Sequence, residues 1–333
     1  MTIRRLGRRD LGRGALTIAG LAGAGTLAAP HIVRAQGDYP NKPVRVVVPY
    51  PAGGGTDIAA RLVTPRLAER WKQSVVVDNK GGASGILGSD IVAKAAPDGY
   101  TLLVMTSAHV INPYTTKQLP YDTEKDFTPI TPLVLGALTL VGSPKAGMDS
   151  YAKFAERARA EPGKVQWGST ENTTRMTGEL FRVKSGLKIE NVAYKGAAPM
   201  LQELAGGHIP AGFTSPLTAM SHHRAGTLRM LAVTSDKRLE ALPDVPTMGE
   251  VGVPDLARPA WFAMFGPKGM PPALVARIHA EVAAVLAEPE TKAKIAALAS
   301  VPGGETPDVF AARVKDELKV WGETAKLAGI TPE

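Results

Sequence analysis

The feature that most constrains this chain is a repeated unit: a short β-branched strand, a turn of glycine or small polar residues, then a helix. The first copy is the clearest. Val44-Arg-Val-Val-Val48 reads as a strand, and Ile58, Leu62 and Leu67 fall on one face at helical spacing. Between them lies Pro49-Tyr-Pro-Ala52-Gly53-Gly54-Gly55-Thr56-Asp57, with Thr56 or Asp57 able to cap the helix. Glycine lets a backbone come close to a bound molecule, and the first N–H groups of a helix have no internal acceptor. Together with the helix dipole they make a seat for an anion. No Gly-Lys-Ser/Thr closes the loop as in a nucleotide-binding P-loop, and Ile58 stands where a dinucleotide fingerprint needs its third glycine. A plain glycine-rich turn would account for one such loop equally well, so the weight falls on repetition.

Ser74–Val77 is a second strand, followed by Lys80-Gly81-Gly82-Ala83-Ser84-Gly85 and a helix running through Val92 and Ala96. Thr101–Met105 is a third, ending in Thr106-Ser107-Ala108-His109. Leu133–Val141 is one apolar strand that carries the chain out of this first lobe. The pattern resumes beyond it. Tyr151–Ala160 is a helix; Val165–Trp167 leads through Ser169-Thr170 to a helix over Met176–Val183; Asn191–Tyr194 leads through Lys195-Gly196-Ala197 to a helix over Met200–Ala205. Leu228–Val233 is a further strand, Pro259–Phe265 returns to the first lobe, and helices follow over Pro272–Leu286 and Pro307–Ala328. Alternating strand and helix predicts an α/β fold of two lobes, each a mostly parallel sheet flanked by helices. Lobe 1 comprises 36–139 and 257–333, and lobe 2 comprises 140–256. Two crossings imply a hinge and a cleft, with ligand bound outside the carboxyl ends of the strands.

Residues 1–35 are set apart from this fold. Gly7-Arg8-Arg9-Asp10-Leu11-Gly12-Arg13 is a twin-arginine pattern, Ala15–Ala29 a weakly apolar stretch, and Val33-Arg34-Ala35 a small-x-small cleavage site. The apolar stretch is about 15 residues, short of the ~20 a membrane span needs. The segment holds six Arg and one Asp, so it supplies +5 of the +8 formal charge and leaves about +3 on the remainder. That residue of charge gives no ground for nucleic-acid binding. The chain has no cysteine, which excludes disulfides, thiolate metal sites and a thiol nucleophile. The reading is therefore export to the periplasm by the twin-arginine route, with an ordinary general-secretion signal or an uncleaved anchor as the alternatives.

Several stretches together resemble one family. They are Pro51-Ala-Gly-Gly-Gly-Thr-Asp57, Pro97-Asp-Gly-Tyr-Thr-Leu-Leu103, Tyr194-Lys-Gly196 with Ala198-Pro199, Gly206-Gly-His208 and Leu242-Pro-Asp-Val-Pro-Thr247. The set is similar to the Bug-type extracytoplasmic solute receptors of tripartite tricarboxylate transporters, across essentially the whole chain after residue 35. The resemblance implies a Venus-flytrap fold, no catalysis, no cofactor and no metal. It also implies a small mono-, di- or aromatic carboxylate in the cleft and delivery by a monomer to the membrane permease subunits. Carried over, the contacts are Ala52, Gly53, Gly54, Gly55, Thr56, Asp57, Gly82, Ala83, Ser84, Gly85, Thr106 and Ser107 in the first lobe. In the second they are Ser169, Thr170, Lys195, Gly196 and Ala197. Two departures add Arg175, standing where the family commonly has a His, and Thr214, where many members have an Asp. Both predict a cleft less acidic and more cationic than is common, and a ligand that is a dianion or an aromatic acid with no amino group.

Each of these residues has a plainer reading. Arg175 is either a bidentate clamp or a solvated helix residue, and Lys195 faces either ligand or water. Ser169 and Thr170 either donate to a carboxylate or cap a helix. Trp261 and Phe262 either floor the cleft or pack in the core. His109, His208, His222 and His223 show no zinc spacing, and no Ser–His–Asp set can be picked out. His222 and His223 follow a strand-like apolar stretch. The alternative classes are a secreted hydrolase, which lacks a Gly-x-Ser-x-Gly elbow, and the sensing domain of a regulator, which would need a helix-turn-helix where the export signal stands.

Overall fold

A computed structural model describes residues 39–257 and 260–332. The export signal expected over residues 1–35 lies outside the described residues, as does Pro259 at the start of the expected return strand. The first lobe opens with β1 (Val44–Val48), α1 (Gly55–Trp71), β2 (Val75–Asn79), α2 (Ile86–Ala93), β3 (Thr101–Thr106), α3 (Ala108–Thr115) and β4 (Phe127–Gly136). The second is built from β5 (Thr139–Gly142), α4 (Tyr151–Ala160), β6 (Val165–Ser169), α5 (Asn172–Ser185), β7 (Ile189–Ala193), α6 (Ala197–Gly206), β8 (Ala211–Thr214), α7 (Pro216–Arg224) and β9 (Arg229–Val233). The chain returns to the first with β10 (Ala260–Pro267), α8 (Pro272–Ala287), α9 (Pro289–Ala297), β11 (Val301–Pro302) and α10 (Pro307–Leu327).

Two sheets result, ordered β11-β4-β10-β3-β1-β2 and β7-β6-β8-β5-β9. Neither is mostly parallel. β1 pairs in parallel with β2 and β3, and β6 with β7 and β8, as strand–helix–strand units must. The strands that carry the chain between lobes run the other way: β10 is antiparallel to β3 and β4, and β5 to β8 and β9. The apolar run expected as one strand over Leu133–Val141 is divided at Ala137-Leu138, and each half joins a different sheet. At this crossing Leu138 N–H donates to Thr234 Oγ1 at 2.9 Å, and Thr234 N–H donates to the Leu138 carbonyl at 2.9 Å. The outgoing and returning segments are thus tied together at one place.

Each lobe has its own core. Val46, Val48, Leu102 and Val104 on one face and Val47, Leu103 and Met105 on the other are all fully buried, as in strands covered on both faces. On the other face Trp261, Phe265 and Phe310 pack edge-on or tilted, with ring centroids 5.2–5.8 Å apart. In the second lobe Trp167 and Phe181 both pack against Phe213. Trp167 lies so close to α5 that a side chain at Gly178 would collide with its ring. Glycine inside a helix costs roughly 1 kcal/mol relative to alanine, and here it makes room for an indole. Short His222-His223 sits at the end of a helix, α7, not after a strand; Pro216 at its first turn is the start signal.

Candidate functional site

The strand–turn–helix units are oriented so that five helices begin at one cavity between the lobes. α1 contributes Gly54, Gly55 and Thr56, and the end of β3 contributes Thr106 with Ser107, the N-cap of α3. From the second lobe come Thr170, Glu171, Thr173 and Thr174 at the start of α5, Gly196 and Ala197 at α6, and Ser215 and Thr218 at α7. Thr214 at the end of β8 completes that side, and Leu138 of the crossing closes the back. Tyr50, Ala260, Trp261 and Phe262 form the first-lobe wall. The cavity volume is about 50 Å³, well below the roughly 300–1,000 Å³ usual for small-molecule sites, so the two walls stand close together in this structure. α1, α6 and α7 receive no hydrogen bond to a capping side chain; this leaves the Gly55, Thr56 and Asp57 amides of α1 and the Ala197 and Ala198 amides of α6 without an internal partner, whereas Pro199 and Pro216 carry no N–H and Thr218 N–H donates to the Ser215 carbonyl at 3.1 Å.

The expected site residues divide into lining and support. Gly54, Gly55, Thr56, Thr106, Ser107, Thr170, Gly196, Ala197 and Thr214 line the cavity. Ala52, Gly53, Asp57, Gly82, Ala83, Ser84, Gly85, Ser169, Arg175 and Lys195 do not. Asp57 is buried and braces the glycine turn: it accepts from Gly53 N–H at 3.0 Å, from Arg61 Nε at 3.0 Å and from Asn79 Nδ2 at 3.1 Å. Burial alone would raise this carboxyl, but the bonds from Arg61, Gly53 and Asn79 outweigh it and hold it below the ordinary range. The second glycine turn stands behind the wall. Ala83 and Ser84 adopt left-handed backbone with φ of 47° and 50°, which turns the Ser84 carbonyl to accept from Tyr50 Oη at 3.1 Å. Ser169 is hydrogen-bonded to the Asn191 side chain at 3.0 Å, across to the neighbouring strand. Lys195 is exposed.

Arg175 lines a separate surface depression with Glu179, Arg182, Lys188 and Glu190. The reason is geometric. α5 meets the cavity end-on, so only its first turn reaches the ligand space and a residue one turn along does not. No Lys or Arg among the described residues lines the cavity, and its one charged side chain is Glu171. The expectation of a more cationic cleft is therefore reversed.

Sequence reasoning missed Glu171, Tyr50, Ser215 and Thr218. Glu171 is the N-cap of α5: Oε2 accepts from Thr173 N–H at 2.6 Å and Oε1 from Thr174 N–H at 3.1 Å, while Glu171 N–H donates to Thr174 Oγ1 at 3.2 Å. The signal was a Glu with a Thr three residues on, a capping box with its residue types exchanged. Burial pushes the Glu171 carboxyl up despite these bonds, and it pushes the Tyr50 hydroxyl up, helped by the nearby Glu171 charge. Trp261 and Phe262 both border the cavity, and Trp261 also packs in the core. Trp261 is locked from three directions: its N–H donates to Ser107 Oγ at 3.0 Å, its carbonyl accepts from Ser107 N–H at 3.2 Å, and its Nε1 donates to Glu317 Oε2 at 2.8 Å. The lobes are joined beside the cavity by Asn172, whose Nδ2 donates to Asn112 Oδ1 at 2.8 Å and Thr115 Oγ1 at 2.7 Å on α3. Among the described residues no group of His, Cys, Asp or Glu is gathered to hold a metal ion.

Known proteins are similar to this chain in sequence and fold. Residues 59–326 match the family described as the tripartite tricarboxylate transporter family receptor. Protein BugT of Bordetella pertussis is 32% identical over 295 residues, covering 87% of this chain and 90% of its own. Among solved structures, R. palustris Rpa4515 with adipate superposes with a TM-score of 0.86 at 35% identity, over 89% of this chain and 100% of that one. The periplasmic binding protein BugD gives a TM-score of 0.84 at 30% identity, over 89% and 100%. MatC from Rhodopseudomonas palustris with bound malate gives 0.79 at 28%, over 86% and 99%.

Proposed function

The chain belongs to the tripartite tricarboxylate transporter receptor family, and from that premise we propose that it captures a small organic carboxylate between its lobes in the periplasm and hands it to the membrane permease subunits of a tripartite transporter. The observation that carries this reading is the convergence of helix starts from both lobes on one cavity whose described lining residues include no Lys or Arg. Such amides bind an anion through oriented N–H groups and need no arginine clamp. The ligand's carboxylate sits against Gly54, Gly55 and Thr56 on one side and Gly196 and Ala197 on the other, with the Thr214, Ser215 and Thr218 hydroxyls beside it. Trp261 and Phe262 cover its apolar part. The adipate and malate in the two R. palustris neighbours agree with this ligand class.

The working protein is a monomer that catalyses nothing, is exported by the twin-arginine route after loss of residues 1–35, and closes about the crossing between 36–139 with 257–333 and 140–256. No helix among the described residues is long and apolar enough to cross a membrane. Ligand contacting both lobes stabilises the closed form by its differential affinity, and a few kcal/mol suffices. The test is a thermal-shift screen of the purified protein against mono-, di- and tricarboxylates and aromatic acids. A ligand at 100 times its Kd should add about 2.7 kcal/mol of stability. Failure of every acid to raise Tm would refute the reading.

A further inference from the structure

Resting on the carboxylate-receptor reading, the geometry points to Glu171 as the residue that selects monocarboxylates against dicarboxylates. Of the five helix starts at the cavity, that of α5 is already filled by an anion from the chain itself. Both Glu171 oxygens are engaged by backbone amides, at 2.6 Å from Thr173 N and 3.1 Å from Thr174 N. The carboxylate therefore sits where a ligand's second carboxylate would otherwise be received, and it borders the same space as Gly54–Thr56 and Gly196.

Among the described residues no Lys or Arg lines the cavity to neutralise it. Arg175 borders a different depression, and Lys195 is exposed and does not line the cavity. The neighbouring Tyr50 hydroxyl already donates to the Ser84 carbonyl. A ligand dianion would thus bring its second charge toward the Glu171 carboxylate, whose own amide partners leave no donor there for a second anion. At separations of roughly 6–10 Å and an effective dielectric of about 20, that repulsion weakens binding on the order of 10- to 100-fold. A monocarboxylate escapes it by placing its charge on the uncapped starts of α1, α6 and α7, and its other end, apolar or bearing a hydroxyl, toward Glu171. This sets the chain apart from its adipate- and malate-bound neighbours in ligand charge.

The test compares acids that differ only in a second carboxylate: hexanoate against adipate, and benzoate against terephthalate, by isothermal titration at neutral pH. The wild-type protein should bind at least one monoacid tenfold or more tighter than its diacid partner. Glu171→Gln keeps a capping oxygen and removes the charge, and Glu171→Ser keeps a good N-cap in a smaller side chain. Each should narrow the mono-to-di ratio by tenfold or more, with thermal melts showing that the variants are folded. Equal or tighter binding of diacids by the wild type, or an unchanged ratio in both folded variants, overturns the assignment while leaving the carboxylate reading standing. Absence of binding for all four acids together with the wider acid screen overturns both.

Discussion

Replacing Asn172 with alanine should weaken ligand binding far more than it weakens the unliganded fold. Asn172 begins α5 in one lobe and donates to Asn112 Oδ1 at 2.8 Å and Thr115 Oγ1 at 2.7 Å in the other. All three residues are buried. A buried hydrogen bond contributes a net ~0.5–1.5 kcal/mol, so the pair favours the closed form by about 1–3 kcal/mol. When the lobes part, water takes over both acceptors and the same side chain contributes little. Asn112 remains anchored through Nδ2, 3.4 Å from Tyr121 Oη, so its Oδ1 has no easy means of finding a new partner in the closed form. Because the ligand binds both lobes, the loss appears almost wholly in Kd, which should rise roughly 5- to 150-fold. Titration calorimetry with the acid giving the largest thermal shift measures it, and the Tm of the unliganded protein provides the comparison. Adding Asn112→Ala should cost much less than its effect in the wild type, because the partner is already gone. A Kd within twofold of wild type would refute the reasoning, as would a fall in unliganded stability equal to the loss in binding energy.

Three further outcomes follow from the same geometry. In Gly55→Ala the new Cβ would lie 2.6 Å from Phe262 Cζ in its own lobe, a contact that burdens the fold in any state, and 2.8 Å from Thr218 Oγ1 in the other, a contact that burdens closure; the two together are an overpacking of about 1–3 kcal/mol, small-angle scattering with saturating ligand should show a more open form, and unchanged affinity would count against it. Burial pushes Glu317 up to about 7 from an ordinary 4.5, so the folded protein holds a proton that the unfolded chain releases, and stability falls as pH rises through that window. Glu317→Gln keeps an acceptor for Trp261 and should recover about 2–3 kcal/mol at pH 8 in urea denaturation, but almost nothing at pH 4. His109, fully buried among Tyr121, Phe127 and Phe265 with neither ring nitrogen hydrogen-bonded, is pushed down to about 3 by burial; stability present above pH 6.5 is lost as pH falls toward 3, by up to about 4–5 kcal/mol, and His109→Phe should flatten that acid limb.

Much of this architecture was legible because its units are local. Val44–Val48 is β-branched throughout, and the glycines after it could hardly continue a strand, so β1, its turn and α1 declare themselves within a few residues. Two of the five helix starts were hidden. α3, Ala108–Thr115, carries Pro113 inside it, and α7 is a short run whose apolar residues fit a strand as well as a helix. β8, Ala211–Thr214, contains a glycine and is four residues long, too short for alternation to show. The turn residues could be placed at the ends of strands, but not which atoms face the gap: Asp57 turns back to hold Gly53, whereas Glu171, in a loop of similar look, borders the cavity. Arg175 misled because charge in a sequence has no direction until the pose of its helix is known.

The helices that begin at the cavity must end away from it, and three of the five carry basic residues at their outer tips. α1 has Arg70 in its last turn, α5 has Arg182 and Lys184, and α7 has His222, His223 and Arg224. Basic groups answer the negative pole of these three helices at the periphery, leaving the interior to uncharged donors. Affinity should then be nearly indifferent to ionic strength, since the groups that grip the acid are sheltered dipoles, whereas any encounter guided by the outer cations would fade as salt is added.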